Sequence, residues 1–123
     1  RYPQRIEVVI YQTLGEIIIS QERSLYQKTN QLIKETEKKV VEIKKKNPEK
    51  SLILERWLLE AKNKTTRSSE KQNYAKKILQ TLKPGDELSE EFHQIQFALK
   101  ESNQYLKEAV YYIKEIIREI KYE

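Results

Sequence analysis

Between Phe92 and Ile120 the chain places Phe92, Ile95, Leu99, Ser102, Leu106, Ala109, Ile113, Ile116 and Ile120 at intervals that alternate between three and four residues. A stripe with that period is a helix built to lie along other helices, because a 3.5-residue repeat keeps the same face turned to its partner. Only Ser102 is polar in it. The rest of the chain has to supply the cover for this seam.

A second stripe precedes it. Leu54, Leu58, Ala61, Thr65, Ser68, Gln72, Ala75, Leu79 and Leu82 follow the same spacing, apolar at the ends and polar in the middle. Asn47 followed by Pro48 reads as an N-cap and first helical position, and Lys44, Lys45 and Lys46 suit the carbonyl end of the helix before it. Lys83-Pro84-Gly85-Asp86 reads as a turn, after which Ser89, with Glu90 and Glu91, opens the last helix.

From Gln4 to Lys46 there is no Pro and a single Gly, so one long helix is expected, with Ile6, Ile10, Leu14, Ile17, Leu25, Leu32, Val40 and Ile43 as its inner stripe. Val8, Val9, Ile18 and Ile19 lie off that stripe. Their branching would also suit a short strand, but no second strand is visible to pair with it.

These readings predict an all-α fold, an antiparallel bundle of three long helices with coiled-coil-like packing, spanning about 4–46, 48–82 and 89–122 in a single domain. A composition with 35% charged residues, two Gly and three Pro agrees. The alternative is a four-helix bundle, if the polar run 62–73 or the gap 20–24 breaks a helix.

Equal rise per residue turns the hairpins into a register prediction. Facing residue numbers should sum to about 94 across the first turn and about 170 across the second. Ser102 then meets Ser68, Ala109 meets Ala61, and Thr65 comes near Thr29. A polar core layer of Thr29, Thr65, Ser68 and Ser102 is expected at one height, with Gln21 and Gln72 as further members. Such a layer costs stability against Leu but penalises slipped registers.

The sequence argues against catalysis. It has no Cys, so no thiolate metal site or Cys nucleophile, and its one His, His93, leaves the Glu90/His93 pair without the second such pair a di-metal bundle needs. The two Gly residues are too far apart for a phosphate loop. No catalytic residue, cofactor or metal is expected. No apolar run is long enough to span a membrane, so a soluble segment is expected, with an intracellular setting preferred.

Two features point to partners. Val9, Ile18, Tyr111, Tyr112, Ile117 and Tyr122 lie outside the three seams and form a candidate association surface, whereas Trp57 reads as a core anchor. Charge is also uneven: residues 28–77 hold fifteen basic against seven acidic groups. There Lys34, Lys38, Lys45, Lys64, Arg67 and Lys71 are candidate phosphate contacts. The leading expectation is a non-enzymatic structural or scaffolding module with a protein partner, self-association into a homo-oligomer being the simplest case. A sequence-nonspecific nucleic-acid-binding bundle is the alternative, and a sensor or ligand-binding domain of a larger protein the second.

Overall fold

A computed structural model describes residues 4–121. The chain runs through α1 (Gln4–Lys46), α2 (Pro48–Gln80) and α3 (Leu88–Lys121), and each helix packs on both others. The seams of α2 and α3 face inward, as their periodicities require, and α1 packs across both. Runs 20–24 and 62–73 are helical throughout, so the four-helix alternative does not hold. The hydroxyls of Thr65 and Thr66 bond back to the Lys62 carbonyl at 2.8 and 3.1 Å, which satisfies inside the helix the side chains that would otherwise compete for its backbone.

The first turn is a single residue. Asn47 caps α2 by accepting the Lys50 N–H at 3.2 Å on its side-chain oxygen, with Pro48 at the helix start. In the second turn Gly85 takes φ +92°, the left-handed conformation that glycine adopts without steric cost. The Asp86 side chain accepts the Lys83 N–H at 2.8 Å. Ser89 does not open α3 as expected: the helix begins one residue earlier, at Leu88, which is buried at 6% exposure.

Every interior position of the α2 stripe from Leu54 to Leu82 is buried, as are Ile95 to Ile116 of the α3 stripe, with Phe92 and Ile120 half-buried at its ends. Two apolar clusters result. One gathers Ile33, Val40, Ile43, Leu54, Leu58 and Ile113 under Trp57, and the other gathers Val8, Leu79, Leu82, Leu88, Ile95 and Leu99.

The expected inner stripe of α1 is reversed over most of its length. Ile6, Ile10, Leu14, Ile17, Leu25 and Leu32 are 38–48% exposed. The buried face instead runs through Val8, Gly15, Glu22, Thr29, Ile33 and Thr36, and rejoins the expected stripe at Val40 and Ile43. Close approach explains the choice. At Gly15 an added Cβ would lie 2.5 Å from a Leu79 methyl, so α1 presents its smallest residue where α2 presents Leu79. Thr29 and Thr36 return their hydroxyls to the Leu25 and Leu32 carbonyls, both at 2.8 Å. Gly15 opposite Leu79 also meets the register predicted across the first turn.

Candidate functional site

Midway along the bundle the three helices meet in a hydrogen-bonded polar layer. The Ser102 hydroxyl donates to the Glu22 carboxylate at 2.8 Å. Ser102 has one proton to give, so in its 2.7 Å contact with Ser68 the donor is Ser68. The Gln72 amide then donates to both hydroxyls, at 3.2 Å to Ser68 and 3.1 Å to Ser102. The chain of donors ends on Glu22.

Thr29, Thr65, Ser68 and Ser102 are all buried, as the polar layer requires, but they divide into two kinds. Thr29 and Thr65 are satisfied within their own helices, whereas Ser68 and Ser102 bond between helices. Gln72 belongs to the layer. Gln21 does not, being exposed, and its neighbour Glu22 takes that place. Burial pushes the Glu22 carboxyl above its ordinary pKa, and the Ser102 hydrogen bond only partly offsets it. Gln72 Oε1 is buried without a partner. The missed residue carries a signal in the sequence: Glu22 lies seven residues from both Gly15 and Thr29, on a stripe of small and polar residues.

The second feature is a groove between α1 and α3. One hollow is lined by Leu25, Thr29, Leu106, Val110 and Tyr111 with Lys107 and Lys114. The next is lined by Leu32, Thr36, Ile117 and Ile120 with Lys39 and Lys121. Ile17, Leu14, Ile10 and Ile6 continue the exposed stripe toward the start of α1. Another apolar hollow, larger than either hollow of the groove at about 550 Å³ against about 350 Å³ each, lies between α1 and α2 near their shared turn, at Val41, Leu52 and Leu59.

The residues expected to form an association surface divide. Tyr111 is 59% and Ile117 40% exposed, and both line the groove. Val9 is exposed. Ile18 and Tyr112 pack against the core clusters, Tyr112 also meeting Tyr111 edge-on at 5.5 Å between ring centres. Tyr122 lies outside the described residues. Sequence reasoning placed Ile6, Ile10, Leu14, Ile17, Leu25 and Leu32 inside, so it missed the larger part of this face.

The basic residues divide too. Lys64 pairs with Glu108 at 2.9 Å and sits over the Tyr105 ring, Lys71 pairs with Glu101 at 3.1 Å, and Lys38 approaches Glu35 at 3.6 Å. The Glu108 hydrogen bond raises the Lys64 pKa. Lys34, Lys45 and Arg67 are exposed and take part in no described ion pair. Of the six candidate phosphate contacts, three therefore already hold acids of the same chain.

Fold and groove together define an all-α three-helix bundle with a trough along one side. Comparison with protein-family models, curated proteins and solved structures gives no match. No helix among the described residues is long and apolar enough to cross a membrane.

Proposed function

We propose that the chain is a non-enzymatic structural module that works by protein association, taking up a further helix along the α1/α3 groove. One observation carries this reading. α1 has two stripes, and the more apolar one, through Ile6, Ile10, Leu14, Ile17, Leu25 and Leu32, is the one turned to solvent. An exposed apolar face of this kind, here in two stretches either side of the polar run 20–24, is rare on a protein that acts alone and common where a partner docks. Each such side chain is already more than half buried, so complete cover by a partner contributes at most about half of the roughly 1.5–3 kcal/mol that burial from full exposure is worth.

The reading is tested with a labelled amphipathic peptide carrying Leu at core positions and Gln on its flanks, and by sedimentation of the chain alone. Binding of the peptide, or a concentration-dependent mass, should be lost in the Ile10→Gln, Ile17→Gln, Leu25→Gln variant while its helix content is unchanged. A chain that stays monomeric and ignores the peptide overturns it.

The nucleic-acid reading has less support, since Lys64, Lys71 and Lys38 are held by Glu108, Glu101 and Glu35. It keeps Lys34, Lys45 and Arg67.

A further inference from the structure

We propose that the helix taken up by the α1/α3 groove belongs to a different protein and carries acidic residues at seven-residue spacing on its flank. This rests on the association reading above and adds the chemistry of the partner. Two adjacent columns of charge run along α3. Glu101 and Glu108 form one, and Lys100, Lys107 and Lys114 form the other, each with a spacing of seven.

The acidic column faces α2 and is matched there, Glu108 by Lys64 and Glu101 by Lys71. Seven-residue steps on one helix meet seven-residue steps on the next, as flanking charges do in coiled coils. The basic column has no such match. Lys100, Lys107 and Lys114 are exposed and take part in no described ion pair, and Lys107 and Lys114 form the rim of the trough.

α1 does not neutralise that rim. The acid lining the trough on its side is Glu35, which already accepts the Gln31 amide at 3.1 Å and approaches Lys38 at 3.6 Å, and beside it stands Lys39. An occupant therefore enters an apolar floor with cationic edges. A second copy would bring its own lysines to the same edges, where like charges disfavour the pair. A phosphate chain would meet the edges but leave Leu25, Leu32 and Ile117 uncovered. An amphipathic helix with an apolar stripe and an acidic flank satisfies both.

The experiment uses two labelled peptides with the same Leu core, one flanked by Glu and one by Lys, titrated into the full chain by fluorescence anisotropy. The Glu-flanked peptide should bind about tenfold or more tightly than the Lys-flanked one, and weaken with salt. In the Lys107→Glu, Lys114→Glu variant, whose changes are at exposed positions, the preference should reverse.

Equal binding of the two peptides overturns the acidic-partner proposal and leaves the association reading standing. So does a dimer of the chain alone that Ile17→Gln and Leu25→Gln dissolve. Salt-sensitive binding of duplex DNA that Lys107→Glu and Lys114→Glu abolish, but Ile17→Gln and Leu25→Gln do not, also overturns the proposal, in favour of a phosphate ligand. Failure of every peptide, with a monomeric chain, overturns both.

Discussion

The Ser102 hydroxyl donates at 2.8 Å to Glu22, a residue 80 positions away in the chain and on a different helix. This bond ties α3 to α1 at the level where Ser68 and Gln72 tie it to α2. A mid-bundle layer of hydroxyls could have been a filler that Leu would improve. Because every hydroxyl in it has an assigned partner, removing one leaves others stranded.

Ser102→Ala should therefore destabilise the chain by about 1–3 kcal/mol, since it strips the donor from a buried carboxylate and an acceptor from Gln72. Urea unfolding followed by circular dichroism measures it. Ser68→Leu with Ser102→Leu should lower the melting temperature as well, and a rise would mean the layer is not held by these bonds.

Stability should rise as pH falls from neutral toward 4.5. Burial holds the Glu22 carboxyl above the ordinary carboxylate pKa of about 4.5 in the folded chain. The folded chain thus binds this proton more readily than the unfolded one, and stability declines as pH climbs from 4.5 through the folded value. Glu91 adds to the same trend, raised by burial and by its neighbours Asp86 and Glu90. Glu22→Gln should raise the melting temperature at pH 7 and flatten the profile by its own share. An unchanged profile would remove Glu22 as a source of the trend.

Gly15→Val should cost about 1–3 kcal/mol through overpacking. Its Cβ would meet the Leu79 methyl at 2.5 Å, and Leu79 is itself buried. In a Leu79→Ala background the added penalty should largely vanish, because the colliding atoms are gone. A double-mutant cycle on thermal unfolding reads that coupling, and additive effects would refute the contact as the cause.

Charge reversal on α2 should disturb the fold before it disturbs any ligand. Lys64→Glu sets a second acid against Glu108, and Glu108→Lys should recover the stability lost. The pair lies at the surface, so the recovery is expected at about 0.2–1 kcal/mol. For this reason nucleic-acid binding is better tested with Lys34→Glu, Lys45→Glu and Arg67→Glu, in electrophoretic shifts at two salt concentrations. Retained binding in that triple variant would exclude those three positions as the phosphate contacts.

The fold was legible in the sequence because α2 and α3 each carry one apolar stripe, and one stripe leaves one way to pack. Their turns were legible for a similar reason: Asn47-Pro48 and Pro84-Gly85 allow few backbone conformations. The pairing of Ser68 with Ser102 then followed from equal rise per residue. Trp57 on its core cluster needed no more than its apolar neighbours.

The candidate site was not legible in the same way. α1 carries two usable stripes, and hydrophobicity selects Ile6, Ile10, Leu14, Ile17, Leu25 and Leu32 as the inner one. Tertiary contact chose the other, because Gly15 admits Leu79 and Glu22 receives Ser102. Whether an α2 lysine is free or paired was likewise decided by α3, which sets Glu108 and Glu101 against Lys64 and Lys71. The sequence by itself determined three helices, their order and their register, since these depend on period and on local turn chemistry. Only the tertiary structure decided which face of α1 is left open to a partner, because that depends on which stripe can come close enough to pack and to hydrogen-bond.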